Sequence, residues 1–328
     1  MRPFRYERPG AIAEAVALQA TTPEARFLAG GTNLVDLMRL GVEAPRTLID
    51  VNHLGLDGIE PTPSGGLLIG AGVRNTVLAV DPDVRARYPL LSSALLNGAS
   101  GQLRNLATVG GNLLQRTRCV YFQDPTKPCN KRRLGSGCPA RAGEHHNLAV
   151  LGHSALCLAT HPSDMAVALA ALGAAVHTEG PEGARRLGLP ELYRLPGEDP
   201  QRETCLAPAE LITAVELPAP PAGAAHYRKV RERRSYAFAL VSVAAVLDAA
   251  ADGTVAAVRL AFGGVAPIPW RATVAEAALE GKPATAESFT AAIAAELSSA
   301  DPLPGNAYKI PLLTRVAVRT LTELVQAA

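Results

Sequence analysis

Phe27-Leu-Ala-Gly-Gly-Thr-Asn-Leu-Val35 is the stretch whose reading decides the fold. Apolar residues run into a Gly-Gly pair, then a hydroxyl residue, then an apolar-periodic segment. That order predicts a short strand over 26–29, a tight turn at Gly30-Gly31, and a helix over 33–40 that Thr32 can cap. Upstream, the Pro9-Gly10 turn predicts a helix over 11–18. Downstream, Thr47 to Val51 reads as a second strand and Leu67 to Ile69 as a third. Strand, helix and strand with short links is a βαβ pattern. Glycines between a strand and a helix N-terminus let the backbone approach a ligand closely. Free N–H groups there favour an anion such as a pyrophosphate. A plain capped turn would explain the same residues.

A second stretch of similar build is Ala107-Thr-Val-Gly-Gly-Asn-Leu113. One such loop is weak evidence; two can flank a single diphosphate, one on each side. Gly70-Ala-Gly72-Val-Arg-Asn75 imitates the start of a nicotinamide-type fingerprint. Its third glycine position is Asn75 and no acidic residue follows at the ribose distance, which excludes that site. Thr160-His-Pro-Ser-Asp164 opens a helix over 163–172. Ser163 and Asp164 suit capping, and Asp164 could equally hold a cofactor N–H or hydroxyl. Lys229 lies in the basic run His226-Tyr-Arg-Lys-Val-Arg-Glu-Arg-Arg234, which reads as a solvated face or as a ligand contact.

The chain has 328 residues, 48% of them hydrophobic, enough for two domains with a sizeable core. It carries 32 basic and 30 acidic residues, for a net charge of +2. That balance speaks against nucleic-acid binding. No apolar run reaches the length of a membrane span, and the N-terminus lacks a signal-peptide pattern. The pattern leaves a cytoplasmic or a periplasmic location open. Pro218 to Gly223 is the best linker. Strands over 211–217, 238–247 and 255–262 and helices over 272–279, 288–297 and 311–325 complete an α+β chain without internal repeats.

Residues 116–157 form an insertion with little apolar periodicity. Something other than apolar packing must order so long a segment. Cys119, Cys129, Cys138 and Cys157 fall within it; Cys205 stands apart. Their spacing does not match zinc knuckles with two intervening residues. Four thiolates suit an iron–sulfur cluster, nearby histidines keep zinc open, and unliganded thiols remain the third option.

Six ordered motifs carry a resemblance: FLAGGTNLV, ATVGGNLL, HPSDMAVALAALGA, ELITAVELP, FGGVAPIPWRA and NAYKIPLLTR. Together they resemble the FAD-binding subunit of the molybdenum hydroxylases, which include xanthine dehydrogenase, carbon monoxide dehydrogenase and aldehyde oxidoreductases. The cysteine-bearing insertion is similar to the medium subunit of the periplasmic aromatic-aldehyde oxidoreductase type, called YagS-like. The resemblance implies a vanillyl-alcohol-oxidase-type FAD domain of two α/β subdomains at 1–218. It also implies a smaller C-terminal α+β domain of the CO dehydrogenase flavoprotein type at 224–328. It further implies FAD bound by Leu28, Ala29, Gly30, Gly31, Thr32, Asn33 and Leu34 on one side, and by Thr108, Val109, Gly110, Gly111 and Asn112 on the other. Asp164 would sit beside the flavin or its ribityl chain, with Ile212 and Lys229 near the isoalloxazine ring. The four clustered cysteines would ligate a [4Fe-4S] cluster. The implied role is electron relay. A large molybdopterin-binding subunit and a small [2Fe-2S] subunit would be the partners, and an external acceptor would take the electrons. No constellation for a catalytic base or a substrate pocket is evident. A self-sufficient flavin oxidase and a zinc-stapled scaffold are the competing classes.

Overall fold

The computed structural model describes residues 1–327. The N-terminal part contains β1 (Arg5–Glu7), α1 (Ile12–Thr21), β2 (Ala25–Leu28), α2 (Leu34–Leu40), β3 (Thr47–Asp50), β4 (Ile59–Pro61) and β5 (Leu67–Gly70). Five short helices follow: α3 (Asn75–Val80), α4 (Pro82–Arg87), α5 (Pro89–Asn97), α6 (Gly101–Leu106) and α7 (Val109–Leu113). Next come α8 (Val120–Gln123), α9 (Asp164–Leu172), β6 (Ala175–Gly180), β7 (Gly183–Gly188), α10 (Leu189–Leu192) and β8 (Leu211–Leu217). The C-terminal part holds β9 (Ala224–Val230), β10 (Val241–Ala249), β11 (Val255–Gly263), β12 (Trp270–Arg271), α11 (Thr273–Leu279), α12 (Ala286–Glu296) and α13 (Lys309–Ala327).

Three sheets result. The first has the order β1-β3-β2 with parallel pairing, so β2-α2-β3 is the βαβ unit the sequence predicts. The second is antiparallel, β4-β5-β8-β6-β7, and the third is antiparallel, β12-β11-β10-β9. Strand β10 (VSVAAVLDA) is buried on both faces. Ala244 and Val246 face one core; Val243, Ala245 and Leu247 face the other, by the two-residue alternation of a strand. The second core is closed by α11, α12 and α13. Leu313, Val316, Ala317, Thr320, Leu321 and Leu324 recur on α13 every three or four residues and face inward.

Helix α9 joins the two halves. All nine of its residues are buried, and it touches α5, α7 and all of β10–β12. Its alanines, Ala166, Ala168, Ala170 and Ala171, let neighbours close in on every side. Ser163 Oγ accepts from Ala166 N at 2.9 Å to start it, and Gly173 ends it with a φ of 70°. Each buried Leu here contributes about 1.5–3 kcal/mol.

Several sequence expectations need correcting. Residues 74–115 hold five short helices. Pro82 and Pro89 sit at helix starts, where a missing N–H costs nothing, and Ser100 and Thr108 cap α6 and α7. Gly110 and Gly111 are therefore inside a helix instead of a loop. Thr32 caps nothing: α2 begins at Leu34, its flanking residue is Asn33, and no side chain caps it. The basic run begins as strand β9, where Tyr227 and Lys229 point inward and His226 is exposed. A charged sequence hides a strand when its inward charge has a buried partner.

The 116–157 segment is irregular, as expected, with only α8 and a one-turn helix at Pro139–Arg141. Polar clamps order it. Arg132 Nη1 donates to the carbonyls of Tyr121, Phe122 and Asp124 at 3.2, 2.9 and 2.6 Å. Arg141 reaches the carbonyls of Ser154 and Ala155 at 2.7 and 2.8 Å. Val150 and Leu151 N–H groups both donate to Val265 O, tying the segment to the turn after β11.

Candidate functional site

The two Gly-Gly motifs face each other across a neck. The turn from β2 to α2 carries the first, with Gly31 at φ 72°, a conformation that favours glycine. A Cβ on Gly30 would stand 1.9 Å from Leu106 O, so this glycine is required by the approach of the α6–α7 turn. The second motif is stitched to the end of β5. Gly110 N donates to Ala71 O at 2.9 Å, and Val109 N donates to Val73 O at 3.0 Å. A Cβ on Gly110 would meet Ala71 Cβ at 3.0 Å. Gly111 N donates to Thr108 Oγ1 at 3.2 Å. The second motif thus uses its N–H groups internally. Among the described residues, the N–H groups of Thr32 and Asn33 make no backbone hydrogen bond within the chain. Asn33 Oδ1 accepts from Arg116 N at 2.8 Å and links the first motif to the start of the insertion.

A cavity opens on each side of the neck. The first lobe, of about 260 Å³, is lined by Phe27, Val51, Leu56, Leu114, Leu211 and Ile212 together with the residues of both motifs. The second, of about 480 Å³, is lined by Leu95, Ala99, Asp164, Lys229, Tyr236 and Phe238 among others. Thr32, Asn33 and Gly111 border both lobes. The structure separates two residues that the resemblance places near one ring: Ile212 lines the first lobe and Lys229 the second.

Asp164 and Lys229 form a buried pair. Lys229 Nζ donates to Asp164 Oδ2 at 2.7 Å and to Asn97 O at 3.1 Å. Their side chains are 8% and 1% exposed. Tyr227 donates its hydroxyl to Asp164 Oδ1. Burial pushes the Asp164 carboxyl above its usual range, against the pull of Lys229 and Tyr227. Ser163, which the sequence pairs with Asp164 as a cap, does cap α9; it also donates its hydroxyl to Asn112 Oδ1 at 2.6 Å. Asn112 is thereby locked to the start of α9.

Cys119, Cys129, Cys138 and Cys157 line one small cavity with Phe122, Lys131, Ala140 and Leu158. Cys205 is elsewhere, its N–H bonded to Leu192 O at 2.9 Å. All five cysteines are free thiols. Burial pushes the Cys119 thiol up to about 11 and raises Cys138 and Cys157. Among the described residues, no three His, Cys, Asp or Glu side chains are gathered closely enough to hold a metal ion. Nearby His161 is half-buried, and burial lowers it to about 4.

Sequence reasoning missed the ionic network between the thiols and the first lobe. Glu203 accepts from Arg116 Nε at 2.6 Å and from Lys131 Nζ at 3.0 Å, while Arg116 Nη1 also pairs with Glu43. Glu203 lies some seventy residues from Lys131, and no local pattern marks it.

Residues 2–220 match the FAD binding domain in molybdopterin dehydrogenase, and residues 225–324 match the CO dehydrogenase flavoprotein C-terminal domain. The chain is 53% identical to the aldehyde oxidoreductase FAD-binding subunit PaoB of Escherichia coli (strain K12), over 98% of each chain. It is 28% identical to the carbon monoxide dehydrogenase medium chain of Hydrogenophaga pseudoflava, over 97% of this chain and 96% of that one. The crystal structure of the cyanide-inactivated Cu,Mo-CO dehydrogenase superposes over the full length of both chains with a TM-score of 0.78 at 26% identity. No helix among the described residues is long and apolar enough to cross a membrane. With a mixed α/β fold and paired glycine motifs closing on a double cavity, the chain belongs to the molybdenum hydroxylase family of oxidoreductases, as one of its FAD-binding subunits.

Proposed function

We propose that the double cavity holds one FAD, that the four-cysteine pocket holds a [4Fe-4S] cluster, and that the chain relays electrons to an external acceptor within an aldehyde-oxidising molybdenum complex. The observation that carries this reading is the meeting of two lobes at a neck bordered by both Gly-Gly motifs. A dinucleotide has that shape: two ring systems joined by a diphosphate.

Residues 1–218 form the FAD-binding domain and 224–328 the C-terminal domain in this reading. Leu28 to Leu34 and Thr108 to Asn112 bracket the diphosphate, with the N–H groups of Thr32 and Asn33 as its donors. The apolar first lobe suits the adenine, so Ile212 contacts that ring. The second lobe suits the isoalloxazine. It is bounded by the buried Asp164–Lys229 pair and by exposed Tyr236 and Phe238, where an acceptor can approach. The flavin supplies reversible storage of two electrons. The chain's residues position it, exclude water from one side and leave the other side open. Cys119, Cys129, Cys138 and Cys157 would hold the cluster. A large molybdopterin-binding subunit and a small [2Fe-2S] subunit would deliver the electrons. The 53% identity to an aldehyde oxidoreductase subunit supports this partner set over a self-sufficient oxidase.

The test is the visible spectrum, flavin content, iron and acid-labile sulfide of the purified chain, with each cysteine changed to serine. Flavin bands with about four irons per chain are expected. Iron should be lost in the Cys119, Cys129, Cys138 and Cys157 variants and kept in Cys205→Ser. Zinc in place of iron, or dependence on Cys205, refutes the cluster; a colourless chain that takes up no added FAD refutes the relay.

A further inference from the structure

Arg116-Thr-Arg118 places two guanidinium groups at the entrance to the cysteine segment, and their surroundings differ. Arg116 is neutralised by Glu43 and Glu203. Arg118 lines the second lobe, where Asp36 acts on it across the wall without forming an ion pair. It donates only to Arg116 O and, at 3.4 Å, to Gln115 Oε1, and its guanidinium carbon lies 5.0 Å from the centre of the Phe238 ring. The other charges of that lobe are engaged or exposed. Lys229 is paired with Asp164. Arg104 donates to Gly98 O at 2.7 Å, and Arg233, at the surface, donates to Tyr236 O at 2.9 Å. Glu232 faces His146 at 3.6 Å. Asp36 is the remaining acid of the wall.

We infer that Arg118 stabilises negative charge on the ring bound in the second lobe and so raises its reduction potential. This rests on the FAD placement proposed above. Full reduction adds two electrons and one proton to the flavin, leaving the ring one unit more negative. A half-buried cation in the lobe wall opposes that charge strongly, because little water screens it and the side chain is already in place. Arg118 directly precedes Cys119, so the charge that tunes the flavin and a thiol of the cysteine pocket are adjacent residues.

The experiment uses the FAD-loaded chain with sulfite as probe, alongside a dithionite titration that supplies the electrons. Sulfite adds through its sulfur lone pair to flavin N5; an S–N bond forms, and the displaced π pair leaves negative charge on the ring. The variants are Arg118→Gln, Arg118→Lys and, in the first lobe, Arg26→Gln. The sulfite Kd should rise at least about tenfold in Arg118→Gln, with a matching fall of about 30 mV for a two-electron couple. Arg118→Lys should stay close to the unaltered chain, and FAD-loaded Arg26→Gln should keep its sulfite affinity and potential. An Arg118→Gln chain that holds FAD with unchanged sulfite affinity and potential overturns the inference and leaves the FAD placement standing. A shift in Arg26→Gln alone puts the ring in the first lobe and overturns both. One readout needs no substitution: the unaltered chain must bind sulfite more tightly than free FAD does, and weaker binding overturns the inference.

Discussion

Adding one methyl group at Gly30 should weaken FAD binding without touching the cofactor. In Gly30→Ala, the new Cβ would stand 1.9 Å from Leu106 O, 2.7 Å from Leu106 C and 3.1 Å from Ala107 Cα. All three are backbone atoms, so no side chain can rotate away. Ordinary contact is about 3.5 Å, and the two turns that wall the neck must part by about 1.6 Å. Overpacking of this kind costs about 1–3 kcal/mol. The free chain relieves part of that strain by letting the turns separate, and binding a diphosphate between them restores it. With 1.4 kcal/mol per tenfold, the FAD Kd should rise about 5- to 150-fold. The assay is fluorescence titration of the flavin-free chain with FAD, with circular dichroism to confirm folding. Gly101→Ala is the control: a Cβ there meets nothing within 4 Å, and no change is expected. A folded Gly30→Ala chain with a Kd within twofold of the unaltered chain refutes the account of the neck.

Asp164→Asn leaves the Lys229 ammonium charged and enclosed, and should cost about 3–5 kcal/mol in chemical denaturation; pairing it with Lys229→Met should recover much of the loss, and a single-variant cost under about 1 kcal/mol contradicts the assignment of a tight buried pair. Lys309, fully buried at the start of α13 with its Nζ donating to Gly264 O at 2.6 Å, is lowered by burial from 10.5 to about 7. The unfolded chain then binds the extra proton between those values, so this residue's destabilising effect is full below about 7 and fades as pH rises toward 10.5. Unfolding free energies from urea titrations at pH 7, 8 and 9 should rise more steeply for the unaltered chain than for Lys309→Met, by at most about 1.4 kcal/mol per pH unit; equal slopes would contradict the burial of a neutral amine.

Elements whose stability is local were legible before any coordinates. The β2-α2-β3 unit shows in its glycine turn and apolar runs. Helix α9 shows in its Ser163 cap, and α13 as a helix over 311–325. The residues of the neck were legible too, because a Gly-Gly pair before a helix has few purposes. Their individual reasons were not. Gly30 and Gly110 line the first lobe, and a Cβ on either would meet Leu106 or Ala71, which only the folded chain brings to them.

By itself the sequence determined the build of each glycine motif, the irregularity of 116–157 and the grouping of four cysteines within it, all properties of residues close along the chain. Tertiary structure alone decided the rest. It turned the basic run into strand β9, because Lys229 finds Asp164 sixty-five residues away. It divided Ile212 and Lys229 between two lobes, and it joined Lys131, Glu203, Arg116 and Glu43 into one network. The physical reason is the same in each case. A charge is tolerated inside a protein only beside its partner, and nothing in the local pattern says where along the chain that partner lies.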